Sequence, residues 1–384
     1  IIGKELTIKD VKIGDEVQTM TDDWKISTAK VIDVIRSNSK PCYRVTTKFG
    51  SVLELGETHP LRKIEGWTPI SELKPGDKIA HVRQGGIFLD KPQPKSRIIC
   101  TAYLLGDGNI SKYRRLVAST CDEVIQEIAA NVEKPYIHND KRSPNLKTIR
   151  IGDKQLKVWL EEDGLIDKLA LDKFFPSWVF DLSREDTILF ISRLWATDGS
   201  VKLHDYKTDI NYVSISRTMV FQLKSLLAKF GILATIACRK SWHYKDGIRK
   251  CNRDIYRMRI KGKRSWYIFL TTFDIPGKRP GKHDIDDKTD PNNRDSFPPL
   301  VGKWVKELKD TARKMGQAIG KKIMNSMKGN MTVHTLDKFL DYFSTVLPTH
   351  PKYLALKALR DGDIEWDAIK SVELIGDYQC WDIE

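Results

Sequence analysis

The stretch TAYLLGDGNI, Thr101 to Ile110, decides how the chain is read. A run of apolar and small residues ends in Asp107, set between two glycines. An acid is out of place at the packed end of a helix, because an unpaired buried carboxylate is costly. Asp107 therefore has a task. A second stretch, ISRLWATDGS (Ile191 to Ser200), has the same shape and ends in Asp198-Gly199. Close approach of two helices requires small side chains at the contact face. Ala102 and Gly106 in the first run, and Ser192 and Ala196 in the second, supply them at i, i+4 spacing, on one face. Ser183, with Asp186 three residues on, gives the second helix a capping box. Packed side by side and parallel, the two helices would deliver Asp107 and Asp198 to one end. Adjacent carboxylates repel unless positive charge lies between them. A divalent metal meets that need, and oxygen-only donors suit Mg2+. Metal ions there would bridge phosphate oxygens, activate water and stabilise a leaving oxygen. One Asp-Gly alone is a common turn that stops a helix. Two in matching context, in a basic chain, favour a site.

The chain has 384 residues, which predicts two or three domains. Its formal net charge is +14 and its pI about 9.3, a balance that points to a polyanion, most often nucleic acid. Apolar runs of membrane length and a signal-peptide pattern are both missing, so no membrane partner is expected. The six cysteines are scattered at 42, 100, 121, 238, 251 and 380 without a C-x-x-C pair. That argues against zinc and for a reducing, intracellular setting.

Residues 1–92 read as all-β, in short alternating runs such as CYRVTTKF and SVLEL between turn residues. IKDVKIGDEV (Ile8 to Val17) repeats as ISELKPGDKI (Ile70 to Ile79), which suggests two related β units. VRQGGIFLDKPQPKS reads as a linker. Residues 98–280 mix helices and strands in two halves. RRLVAST and INYVSIS are strands, each followed by an amphipathic helix, CDEVIQEIAANV or RTMVFQLKSLLAKFG. In the latter Val220, Leu223, Leu227 and Phe230 share a face, and Gly231 stops the helix. TIRIGDKQLKVWL, from Thr148, is similar to RMRIKGKRSWYIF, from Arg257, so each half repeats an α–β–β–α plan. Residues 295–362 are a basic helical extension. In its stretch 302–330, Lys303, Lys306, Lys309, Arg313, Lys314, Lys321, Lys322 and Lys328 face only Glu307 and Asp310. Gly316 and Gly320 place bends of the kind a helix–turn–helix uses, and the region is expected to touch DNA. Residues 363–384 return to strand character and are expected to rejoin the N-terminal β module.

AYLLGDGN and SRLWATDGS resemble the paired motifs of LAGLIDADG homing endonucleases, and KFFPSWVFDLSREDTILFISRLWATDG resembles that family's approach to its second motif. The Gly-Asp repeat and LGETHPLRKIEGWTPISELKPGDKI resemble a Hint splicing domain. DIEWDAIKSVELIGDYQCWDIE resembles the strands that close inteins of the replicative-helicase type. The resemblance implies a multi-domain fold: an all-β, horseshoe-like Hint module, an α+β domain of two pseudo-symmetric αββαββα halves, and the small helical extension. It implies a monomer with an internal pseudo-two-fold, whose strands lie in the major groove of double-stranded DNA, where sequence is legible. The catalytic and metal-binding acids fall on Asp107 and Asp198, with Gly106 and Thr197 beside them as backbone ligands of Mg2+ (or Mn2+). The supporting lysines fall on Lys173, ahead of Pro176, and on Lys278 or Arg279 in IPGKR. Arg150, Arg217, Arg257, Arg259, Lys261 and Lys263 are expected at the DNA surface, with Arg313, Lys314, Lys321 and Lys322 in the extension.

The Hint resemblance places the splicing histidine, which polarises the first scissile peptide bond for an acyl shift, at His59. The family's threonine three residues earlier is Gly56 here, and its aspartate of the penultimate strand falls on Asp382. The chain opens with Ile1-Ile2 where an intein has Cys or Ser, and stops at Glu384 where an intein has His-Asn. The expectation is that those ends lie outside the residues given, and that the chain as given does not splice. The implied activity is an intein-encoded homing endonuclease, cutting both strands of a long site with metal assistance. Two other readings are a splicing intein whose endonuclease has decayed into a DNA-binding scaffold, and a LAGLIDADG-derived DNA-binding regulator. Intact Asp107 and Asp198 speak against the first, the flanking Hint sequence against the second.

Overall fold

The computed structural model describes residues 8–83, 86–140, 143–203, 208–245, 248–279, 296–317 and 331–384. The N-terminal strands are β1 (Glu16–Met20), β2 (Ile26–Lys30), β3 (Val34–Thr47), β4 (Val52–Gly56), β5 (Pro60–Arg62), β6 (Trp67–Pro69) and β7 (Lys78–Val82). The internal repeat folds twice in the same way. Each copy opens with one 3-10 turn, Ile8–Asp10 or Ile70–Glu72. Each then turns through a glycine of positive φ, +89° at Gly14 and +97° at Gly76, where a side chain would be strained. The next residue, Asp15 or Asp77, accepts a hydrogen bond from the amide of Lys12 (2.8 Å) or Lys74 (2.9 Å). A strand follows at once, β1 or β7.

The mixed region contains α1 (Lys95–Asp107), β8 (Gly108–Ile110), β9 (Arg115–Ser119), α2 (Asp122–Ala130), β10 (Tyr136–Asp140), β11 (Ser143–Arg150) and α3 (Lys154–Glu162). It continues with α4 (Arg184–Asp198), β12 (Gly199–Lys202), β13 (Asp209–Ser214), α5 (Arg217–Ala228), β14 (Ala234–Lys245), β15 (Ile248–Ile260) and α6 (Lys263–Thr272). Both halves run α-β-β-α-β-β-α. Their sheets have matching antiparallel orders, β8-β9-β11-β10 and β12-β13-β15-β14. Local chemistry sets the boundaries. Ser183 caps α4 by accepting from the Asp186 amide at 3.1 Å, and Ser216 caps α5 by accepting from Met219 at 3.2 Å. Gly231, at φ +75°, turns the chain away after α5. The two helix-ended halves share one apolar core, which holds Tyr103, Phe175, Phe190, Trp195, Leu223 and Met258.

The segment before α1 reads as a linker but packs onto this core. Phe88 lies on Phe230, with ring centroids 5.1 Å apart, and Lys91 pairs with Asp181 at 2.8 Å. One aromatic and one charged interaction outweigh the local Gly and Pro signals. The β module touches the mixed region as well. Lys224 on α5 donates to the Phe49 carbonyl (3.1 Å) and to Ser51 Oγ (3.2 Å).

Beyond it lie α7 (Pro299–Lys314), α8 (Val333–Val346) and α9 (Pro351–Asp361). The last helix follows from Pro at its first turn and from buried Tyr353, Leu356 and Leu359 on one face. These helices do not close a core alone. Val301, Val305, Leu308, Phe339 and Phe343 pack with Trp24 beside the β1–β2 hairpin, and Trp24 meets Trp366 edge-on at 5.3 Å.

Strand β16 (Ile364–Ile383), 20 residues long, ends the chain. It pairs with β7 from Ile364 to Ala368 and with β3 from Ile369 to Ile383, in the sheet order β4-β3-β16-β7. The C-terminal stretch thus rejoins the N-terminal β module. No helix among the described residues is long and apolar enough to cross a membrane.

Candidate active site at the paired helix ends

Helices α1 and α4 lie side by side. Ala102, Ser192 and Ala196 are buried. Gly106 faces the Thr197 side chain so closely that a Cβ on Gly106 would overlap it. Thr197 cannot swing aside freely, since its Oγ1 donates to the Leu194 carbonyl at 2.5 Å. The close approach brings both carboxyl ends together, and with them Asp107 and Asp198.

Both aspartates reach the surface. Dense protein around them nevertheless strips enough water to raise both carboxyls above the usual range. For Asp107 that desolvation is the larger cause and the Asp198 charge adds to it, pushing the group up to about 6. Lys278 and Lys173 pull the other way on both acids. The two side chains are open to a ligand at their tips and poorly solvated at their base.

The two lysines grip the helix ends from below. Lys173 is buried and donates to the carbonyls of Leu104 (2.8 Å), Leu105 (3.0 Å) and Gly108 (2.8 Å). Lys278 donates to the carbonyls of Trp195 (3.2 Å), Thr197 and Gly199 (2.7 Å). Burial lowers both ammonium groups, Lys173 to about 8, while the two carboxylates hold them up. Of the pair in IPGKR, Lys278 takes this place. Arg279 is engaged with Glu123 (2.7 Å) and Asp274 (2.6 Å).

Among the described residues, no group of three or more His, Cys, Asp or Glu is arranged to hold a metal. The donor set is the two carboxylates. Paired, partly desolvated oxygen donors of like charge fit a hard divalent cation that draws its remaining oxygens from phosphate and water. Of the backbone groups expected to join the acids, those of Gly106 and Thr197, the Thr197 carbonyl already accepts from Lys278.

The basic residues expected at a DNA surface divide. Met258 and Ile260 on β15 are buried, so the alternating Arg257 and Arg259 lie on the opposite, polar face of the sheet. Arg259 pairs there with Asp209 at 3.4 Å. Arg150 is exposed on β11, opposite Tyr136. Lys261 is half-buried just past β15. Arg217 is exposed at the start of α5, stacked over Phe221 at 4.6 Å. Lys263 opens α6. On α7, Arg313 and Lys314 are exposed with Lys303 and Lys306. Lys309 is buried, which corrects its place in the basic face, because it sits beside Leu308 on the stripe that packs inward. Lys321, Lys322, Lys328 and Gly320 lie outside the described residues.

A second group gathers in the β module. His59 Nδ1 is 3.9 Å from Asp382 Oδ2. Both line a cavity of about 690 Å³ with Lys40, Cys42, Arg44, Cys380 and Trp381. Where the resembled family has threonine, Gly56 leaves room for Lys40, whose stem a Cβ would strike. Lys40 Nζ also donates to Thr58 Oγ1 at 3.4 Å. Sequence reasoning missed Cys42 and Cys380, whose sulfur atoms lie 3.2 Å apart. Only the pairing of β3 with β16 brings them together.

Residues 185–273, which hold Asp198 and the elements after it, match the family model described as a LAGLIDADG-like domain. Across its wider length the chain is similar to the replicative DNA helicase DnaB of Rhodothermus marinus, 23% identical over 94% of this chain and 40% of that protein. The chain spans less than half the length of this and the next curated helicase relatives. Among solved structures, it is similar to a Ssp DnaB mini-intein variant M86, with 27% identity, 22% of this chain and 55% of that one covered, and a TM-score of 0.21. It is also similar to variants of the homing endonuclease I-DmoI, with 14% identity, 49% of this chain and 97% of that one covered, and a TM-score of 0.31. The LAGLIDADG-like stretch takes its second helix end, its sheet and Arg257 and Arg259 from residues inside the matched range.

Proposed function

We propose that the chain is an intein-encoded homing endonuclease that cuts both strands of a long DNA site. In this reading residues 1–92 and 363–384 form a Hint splicing-type module, 98–280 the endonuclease, and 295–362 a basic DNA-binding extension. The two α-β-β-α-β-β-α halves would be related by a pseudo-two-fold axis between α1 and α4, as in a monomer that places one half on each side of its cut. The observation that carries the reading is the meeting of Asp107 and Asp198 where Gly106 abuts Thr197, over two lysines. The helicase relatives support an insertion, since nearly all of this chain matches less than half of each.

Asp107 and Asp198 would hold Mg2+ or Mn2+, with Gly106 and Thr197 as backbone neighbours. When bound, a divalent ion supplies charge neutralisation at the scissile phosphate and an acidified water. The chain does the rest. The packing of Gly106 on Thr197 fixes the separation of the carboxylates. Lys173 and Lys278 hold the helix ends and keep the acids charged against desolvation. Arg257, Arg259 and Arg150 on the polar sheet faces would meet phosphates and base edges, and so orient the duplex. His59 and Asp382 belong to the splicing side of the reading, where the imidazole would polarise a peptide bond at the module's cavity.

The deciding experiment is cleavage of DNA spanning an uninterrupted replicative-helicase gene, with Mg2+ and with a chelator. Metal-dependent double-strand cutting at one site supports the proposal. Tight binding without cutting at any metal concentration would replace it with the DNA-binding scaffold.

A further inference from the structure

We propose that Cys42 and Cys380 form a dithiol modification site, which a small disulfide such as oxidised glutathione closes to an intramolecular disulfide. The inference stands on the β module alone and does not depend on the endonuclease reading. Cys42 lies on β3 and Cys380 on β16, and the ladder between these strands shifts register on either side of Tyr378. Those irregularities turn both sulfurs toward one another, 3.2 Å apart, with neither in a disulfide. Closing that gap to the roughly 2.0 Å of an S–S bond needs about 1 Å of movement.

The two thiols differ in access, and the difference orders the chemistry. Cys42 is 4% exposed, whereas Cys380 is half-buried, and both line the cavity of about 690 Å³. A space of that size is within the range of small-ligand sites, so a tripeptide disulfide can reach the sulfur on its wall. Lys40 on the same wall provides positive charge for the thiolate and for the anionic reagent, while Arg44 there is paired with Glu54 at 2.8 Å. Burial raises the Cys42 thiol, and Lys40 partly offsets it. Cys380 is therefore the first to react and Cys42 the second.

The steps balance. The Cys380 thiolate attacks one sulfur of oxidised glutathione, forms a mixed disulfide, and expels one glutathione thiolate. The Cys42 thiolate then attacks Cys380 Sγ and expels the second. Two electrons pass from the cysteine sulfurs to the glutathione disulfide. The two thiol protons end on the two glutathione molecules. The product ties β3 to β16 on the wall of the cavity that holds His59 and Asp382. In a reducing setting the pair stays open, and a shift to oxidised glutathione closes it.

The test uses the full chain, incubated with reduced or oxidised glutathione, alkylated and digested without reductant. Mass spectrometry of the wild type should show a Cys42–Cys380 linked peptide only after oxidation, reversed by dithiothreitol. Cys42→Ser should stall at a glutathione adduct on Cys380, and Cys380→Ser should leave Cys42 unmodified. Wild type that carries only adducts, on Cys380 or on exposed Cys238, with no Cys42–Cys380 link, would overturn the proposal. The wild-type digest decides by itself if either variant fails to fold.

Discussion

Lys173 and Lys278 close the carboxyl ends of α1 and α4 from matching places. Lys173 reaches the carbonyl of Leu104, three residues before Asp107, and of Gly108 just after it. Lys278 reaches Trp195, three residues before Asp198, and Gly199 just after it. A helix end carries partial negative charge, and here an acid sits on top of it. Each lysine offsets both. Replacing Lys173 with Met leaves three carbonyls without their donor. Unfolding in urea should show a destabilisation of about 1–3 kcal/mol, the cost of unpaired buried acceptors. Lys278→Met should cost less, since Lys278 is only half-buried. Unchanged stability in Lys173→Met would show that water takes over the carbonyls at no cost.

Asp107→Asn and Asp198→Asn should each reduce double-strand cleavage by on the order of 10²-fold or more, because a ligand of the divalent ion is removed. Binding to the same duplex should change little, since neither side chain touches a base in this reading. Cleavage and gel-shift titrations on one DNA fragment separate the two. Full cutting by either variant removes the acids from the mechanism.

The raised carboxyl predicts an inverted pH dependence without metal. Asp107 is pushed up to about 6 in the folded chain, against about 3.9 for an ordinary aspartate. The native state then binds the proton more tightly than the unfolded state. Its contribution to stability is complete below about pH 4 and is lost as pH rises through 6. Asn has no such dependence. In a chelator, Asp107→Asn should match wild type near pH 4 and exceed it at pH 8. The difference should be on the order of 1 kcal/mol after screening at this exposed group. Mg2+ should narrow it by stabilising only the wild type. A variant less stable than wild type at pH 8 in chelator would contradict the sign.

On α7, Lys303, Lys306, Arg313 and Lys314 are exposed, opposite the buried stripe of Val301, Val305, Leu308 and Ala312. If they meet phosphates, replacing all four with Ala should weaken DNA binding across sequences alike. Each phosphate that is no longer neutralised should reduce the magnitude of the slope of log K against log salt by about 0.9. Binding across a salt series measures both. An unchanged slope would make the stripe a solvated face.

The paired helix ends were legible because the pattern is local. Asp107 and Asp198 each follow small residues at helical spacing, and Ser183 marks where the second helix begins. The Ile8 and Ile70 repeat was legible for the same reason, since its turn chemistry lies within one short stretch. The unread features are long-range. Nothing local marks Trp24 as the residue that Trp366 meets edge-on, and Phe88 reads as linker until Phe230 covers it. Lys309 reads as one more surface lysine until α7 is rotated onto its core. The identity of the lysine under Asp198 also needed the folded chain, because Lys278 and Arg279 are adjacent and both cationic.

Strand β16 belongs to two cores at once. Ile364 and Trp366 are part of the helical cluster, while Ile369 is part of the small core with Val45 and Ile79. A single extended segment thus runs through both, so loss of either core disturbs a strand that the other uses. If that coupling is strong, backbone amides on the two stretches of the strand should exchange with solvent at a common rate, and separate rates would show that they open independently. Residues far apart in the chain, Trp24 and Val45 among them, would share one stability through a strand that comes last.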